Sequence, residues 1–151
     1  MTTSQDEIVK IVDLTAPVSR VWQALTDHEA FGAWFRVKLD QPFAVGSLST
    51  GHMTYPGYEG LPWLARVDTM EPEHHFAFRW HIYDPDSHVP LASEPMTLVT
   101  FRLEATGEGT RLTIVESGFR DLPEPRRLEI MRQNTQGWDI QAEHIASYVG
   151  S

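Results

Sequence analysis

The chain of 151 residues is long enough for one domain with a real core, because a compact domain of about this size buries about 68–70% of the surface its unfolded chain exposes. Its 41% hydrophobic and 22% charged residues are ordinary for a globular domain, no apolar run approaches the roughly 20 residues of a membrane span, and the absence of cysteine excludes disulfides, thiolate metal sites and a Cys nucleophile. With 21 acidic against 12 basic side chains the formal charge is −9, which opposes attraction to phosphate backbones and anionic membranes, so no nucleic acid and no membrane insertion is expected.

The opening MTTSQDEIVK lacks the basic start and apolar core of a signal peptide, so a cytoplasmic location is the expectation. Ile8 to Leu14 is an apolar, β-branched run that reads as a first strand. Ala16-Pro17 then opens a helix, since proline suits the first helical turn, where its missing N–H has no intrahelical partner. Val18, Val21, Trp22 and Leu25 give its i, i+3, i+4, i+7 face. A second short helix is expected from Glu29 to Phe35, gathering Phe31, Trp34 and Phe35, against the low helix propensity of Gly32.

Beyond residue 40 the signals change to strands and turns. Phe43 to Val45 and Leu48 to Met53 flank Gly46-Ser47 in hairpin fashion, and Tyr55 to Pro62 is loop. Trp63 to Met70 and His75 to Ile82 are two further strands, and the turn between them is short enough to make them antiparallel neighbours. Tyr83 to Pro95 holds three prolines and reads as an exposed loop of the length that often serves as a lid. Thr97 to Glu104 alternates with Val99, Phe101 and Leu103 on one face, and Gly107-Glu108-Gly109 turns it into Thr110 to Ser117, where Leu112, Ile114 and Glu116 share a face.

The last element is a long helix. Leu128, Met131, Thr135, Trp138, Ala142, Ile145 and Val149 recur at steps of three and four, one stripe of an α-helix. From Glu124 to Val149 it would run roughly 39 Å at 1.5 Å per residue. The order of strand, helices, antiparallel strands and long helix is an α+β pattern in a single domain, residues 1–151.

Four pieces carry a family signature: Ala16-Pro17-x-x-x-Val21-Trp22-x-Ala24-Leu25-Thr26-Asp27, Phe43-x-Val45-Gly46, Gly109-Thr110-x-Leu112-x-Ile114-x-Glu116-x-Gly118-Phe119, and Gly137-Trp138. In this order they make the chain resemble the START-like superfamily, and more narrowly the branch related to the C-terminal domain of the activator of the Hsp90 ATPase. The resemblance implies a helix-grip fold, a curved antiparallel sheet of about six to seven strands wrapped around the long C-terminal helix, with two short helices after the first strand. It also implies a cavity between sheet and helix that takes a small apolar molecule. Relatives of this kind include enzymes and co-chaperones, so a protein partner such as a chaperone is the alternative. The family often has histidine where this strand has Glu116.

Candidate ligand-binding residues follow from this arrangement. Trp34, Trp63, Trp80, Phe101, Trp138 and Met131 supply large apolar or soft surfaces for a pocket, with Thr135 beside them on the helix, and core packing is the competing reading of each. Glu116 is directed toward the apolar face, where a carboxylate must be paired, either as an acid, base or anchor for a ligand or in a structural ion pair with Arg79, Arg102 or Arg111. His52, late in its strand, is a second polar candidate. A cyclase-like or hydrolase-like proton transfer by Glu116 or His52 is the enzymatic alternative to simple binding. No two histidines share a helical H-x-x-x-H spacing, and neither a G-x-S-x-G elbow, a Walker A loop nor a G-x-G-x-x-G fingerprint is present, so no metal and no cofactor is expected.

Overall fold

A computed structural model describes residues 6–82, 93–122 and 124–150. In chain order the elements are β1 (Glu7–Leu14), α1 (Val18–Thr26), α2 (His28–Phe35), β2 (Val37–Leu39), β3 (Leu48–Met53), β4 (Pro62–Glu71), β5 (His75–His81), β6 (Met96–Thr106), β7 (Gly109–Ser117) and α3 (Glu124–Val149). The strands form one curved, wholly antiparallel sheet in the order β1-β7-β6-β5-β4-β3-β2. Strands two to seven are a meander, and β1 closes it by pairing with β7, Ile8 opposite Glu116 and Leu14 opposite Thr110. No helix among the described residues is long and apolar enough to cross a membrane.

The two sheet edges, β1 and β2, are joined in sequence by the α1–α2 pair. One residue organises the junction: Asp27 ends α1 with its backbone N–H on the Gln23 carbonyl and starts α2 with its side-chain carboxylate accepting the Ala30 N–H at 2.9 Å. Helix α1 buries Val21, Ala24 and Leu25, and α2 buries Phe31, Trp34 and Phe35, each fully buried ring contributing about 1.5–3 kcal/mol of apolar transfer. Both helices touch α3, through Arg20 on the Tyr148 carbonyl and Gln141 on the Phe35 carbonyl.

The long helix spans the residues expected from its periodicity, but its buried stripe does not. Ile130, Trp138, Ala142, Ile145 and Val149 are buried, whereas Leu128 is 58% exposed and Thr135 is also exposed. The buried line passes instead through Asn134, four residues after Ile130 and four before Trp138, a polar residue that an apolar pattern skips. The expected hairpin about Gly46-Ser47 is also different. Leu48–Met53 pairs with Val37–Leu39, Lys38 opposite His52, while Phe43 packs its ring into the core without joining a strand. A three-residue strand of Val-Lys-Leu is too short to show alternation. Of the loop expected at residues 83–95, residues 83–92 lie outside the described part of the chain.

Gly32 in α2 marks the point where the chain folds back into β2. Arg36 caps the helix in the left-handed region with φ 72°, and a Cβ on Gly32 would lie 2.4 Å from the Val37 carbonyl oxygen. Gly32→Ala should therefore lower unfolding stability by about 1–3 kcal/mol through overpacking, although alanine is the better helix former by about 1 kcal/mol. Urea denaturation decides the sign, and a stabilised variant would show that the fold-back is not tight.

Candidate functional site

Five aromatic rings from five elements meet between the sheet and α3. Trp80 of β5 stacks on Trp138 of α3 with centroids 5.6 Å apart and planes at 28°. Phe35 of α2 meets both edge-on at 5.9 and 6.2 Å, Trp63 of β4 meets Trp80 at 5.6 Å, and Phe101 of β6 meets Trp138 at 5.9 Å. Such edge and offset contacts are the favoured geometries of aromatic quadrupoles.

Within this apolar layer sits Glu116 of β7, 0% exposed. Trp138 donates its indole N–H to Glu116 Oε1 at 2.9 Å, and Trp80 donates to Oε2 at 2.9 Å. The Thr97 hydroxyl donates to Oε2 at 2.6 Å, and the Asn134 amide N–H2 lies at 3.1 and 3.0 Å from the two oxygens. Indole and amide nitrogens can only donate, so both carboxylate oxygens are committed as acceptors. The structural ion pair, one of the two alternatives for Glu116, is absent: Arg79 and Arg102 are exposed, and Arg111 pairs with Asp13 across the β1–β7 edge at 2.9 Å. The arginines alternate onto the outer face of strands whose inner face carries the core, aromatic rings in β5 and β6 and Leu112, Ile114 and Glu116 in β7.

Next to this layer, α3 and the 54–61 loop border an open groove of about 400 Å³. Its walls include Met53, Tyr55, Tyr58 and Leu61 on one side, Gln133, Asn134, Gln136, Gly137, Ile140 and Gln141 of α3 on the other, and Phe35, Trp63, Trp80, His81 and Trp138 beneath. Trp63 and Trp138 are almost wholly buried, so Trp80 is the indole with most surface toward the opening. Three of the nine sequence candidates, Trp63, Trp80 and Trp138, thus border the groove.

The others lie elsewhere. Glu116 stands behind Trp80, Asn134 and Trp138 and does not border the groove. Phe101 is core, and Trp34 is core with its N–H on the Ala24 carbonyl at 2.8 Å. His52 is exposed, because in β3 it is Met53 that lines the groove. Met131 packs against the core, and Thr135 is exposed with its hydroxyl on the Met131 carbonyl at 2.7 Å. Most groove residues that the periodicity overlooked are polar or in loops, with Ile140 on α3, Phe35 on α2 and Met53 on β3 as apolar exceptions. The Tyr55-Pro-Gly-Tyr58 pattern, two aromatic residues around a turn, is the signal that could have found the mouth.

Burial holds the His81 imidazole below the usual histidine value, against the opposing pull of the Ile82 carbonyl, the Glu94 charge and the Pro62 carbonyl. Among the described residues no group of three or more His, Asp or Glu is placed to hold a metal ion.

A family model described as Activator of Hsp90 ATPase homolog 1-like protein matches residues 15–150. Similar solved structures include protein MLL2253 of Mesorhizobium loti, with a TM-score of 0.77 and 24% identity over 95% of this chain and 96% of that one. A protein of Arthrobacter aurescens has a TM-score of 0.79 at 20% identity, covering 98% of this chain and 89% of that one. DynU16, from the dynemicin biosynthetic locus, has a TM-score of 0.74 at 25% identity over 97% of this chain, which spans only 48% of DynU16. No curated protein sequence matches significantly.

Two measurements test the site. Glu116→Gln turns an acceptor oxygen into an N–H2 group facing donors, and should cost about 2–3 kcal/mol in urea denaturation with loss of near-ultraviolet tryptophan circular dichroism. A change within about 0.5 kcal/mol, the range of ordinary surface substitutions, would show that the network does not hold the layer together. For His81, a lowered folded pKa means the unfolded chain takes the proton first. The stability this contributes is complete above the unfolded value of about 6.5 and is lost as pH falls from there through the folded value. His81→Gln should flatten the acid-side decline of the urea midpoint, and an unchanged slope would assign that decline to other groups.

Proposed function

We propose, from the premise that the chain belongs to the Activator of Hsp90 ATPase homolog 1-like family, that it binds a small apolar or aromatic-containing molecule in the groove between its sheet and α3. The supporting observation is the groove itself: about 400 Å³ falls within the range for small-molecule sites, and aromatic side chains surrounded by a few amides and phenols are the usual lining of such sites. The likeness to DynU16, from a biosynthetic locus, points the same way.

Binding is favoured over turnover because the two candidate proton-transfer groups are badly situated for it. Glu116 has both oxygens engaged and three side chains between it and the groove, and His52 faces away. A general acid or base must come within hydrogen-bond reach of its substrate.

Gly137 offers a clean test. It lines the groove on α3, and a Cβ added there meets nothing within 4 Å. Gly137→Leu should fill the groove while leaving the fold intact, and helix propensity should raise stability by about 0.5–1 kcal/mol. Titration of the native protein with 2-naphthol, followed by tryptophan fluorescence and calorimetry, should give saturable one-to-one binding that weakens at least about tenfold in Gly137→Leu, the equivalent of about 1.4 kcal/mol. Absence of saturable binding by the native protein, or equal binding by the variant, would overturn the proposal.

A further inference from the structure

We infer that the preferred occupant of the groove is an organic cation, an alkylammonium or a delocalised aromatic cation, seated against Trp80 with Tyr55 and Tyr58 beside it. The inference rests on the binding reading above and narrows it to one charge class. Its starting point is a charge that the protein leaves unbalanced. Glu116 is fully buried, and every group that hydrogen-bonds it is neutral. Neutral donors satisfy the lone pairs of a carboxylate, but they do not cancel its charge.

All 12 Lys and Arg residues lie among the described residues, and none forms an ion pair with Glu116. Lys10 is on Asp139, Arg111 on Asp13, Arg120 on Asp6, Arg126 on Glu94 and Arg132 on Glu129. Nor does any Lys or Arg line the groove. His81 does, and burial disfavours the charged form of its imidazole. The negative potential of the carboxylate therefore reaches the groove across a thin aromatic and amide wall with no fixed positive charge to offset it.

The donor inventory of the wall agrees. Trp63 spends its N–H on Ser49 Oγ at 3.0 Å, and Trp80 and Trp138 spend theirs on Glu116. Asn134 gives its N–H2 to the same carboxylate, which leaves its amide oxygen as the group not turned to Glu116. The indoles thus meet a ligand with ring surface alone, and Asn134 with an acceptor. Donation of an N–H to a carboxylate also polarises the indole and makes its face a better partner for a cation. Tyr55 and Tyr58, with ring centroids 5.8 Å apart, stand at the mouth, and Tyr58 is 47% exposed. An anion would find only the neutral amides of Gln133 and Gln136 and the phenols as donors and would meet a buried negative charge, whereas a cation meets π-faces, amide oxygens and a chain of formal charge −9 that draws it in.

Three probes of matched shape separate this inference from the reading beneath it: benzyltrimethylammonium, its neutral isostere neopentylbenzene, and phenylmethanesulfonate. Calorimetry on the intact chain should show the cation binding at least about tenfold more tightly than the neutral isostere, with the sulfonate weakest. Cation binding should be lost in Gly137→Leu, and the preference should shrink in folded Glu116→Gln. If the neutral isostere binds as tightly as the cation, the charge preference is wrong and the apolar binding site stands. If none of the three probes nor 2-naphthol binds, the groove is not a ligand site and both readings fall.

Discussion

The need to hydrogen-bond a carboxylate placed in an aromatic layer sets the positions of four other side chains. A buried charge left without partners costs several kcal/mol, so whatever surrounds Glu116 must bring donors to it. Trp80 and Thr97, directly paired across β5 and β6, supply two from the sheet, and Asn134 and Trp138 supply the rest from one face of α3. The rotation of the long helix about its axis follows from this. With Asn134 and Trp138 turned inward, Ile130 and Ala142 fall on the same line, and Leu128 and Thr135 are carried outward.

The groove depends on the same arrangement. Because the indole nitrogens point at Glu116, the rings are held across the interface and pack with Phe35 and Trp63. Phe35 is in turn fixed by α2, whose approach to the sheet edge is governed by the fold-back at Gly32 and by Gln141 of α3 on the Phe35 carbonyl. Sheet, connecting helices and long helix thus converge on one site. The 54–61 loop finishes it, Met53 N–H on the Leu61 carbonyl and Gly60 N–H on the Met53 carbonyl.

What could be read in advance was whatever produces a local signal. Strand alternation marked β6 and β7, helical spacing marked the extent of α3, and ordered motifs spread over most of the chain pointed to the helix-grip family. Inward placement of Glu116 also followed from parity with Leu112 and Ile114. Its partners did not, because a cation is the usual expectation for a buried carboxylate and nothing local says that two indoles, an amide and a hydroxyl will converge from three other elements. Asn134 was invisible to a pattern built on apolarity. His52 was misjudged because β3, with Ser49, Thr50, Gly51 and His52, gives alternation too little contrast to say which face is inside.

Gly137 sits within the continuous α3 helix, where glycine is less favourable than alanine by about 1 kcal/mol. No neighbour requires its lack of a side chain, since a Cβ would meet nothing within 4 Å. The residue is therefore a place where stability and capacity are in opposition: any larger side chain except proline favours the helix and shrinks the groove. A single substitution here therefore changes the size of what the groove accommodates without a clash at its first carbon, while selection for stability alone would close the site.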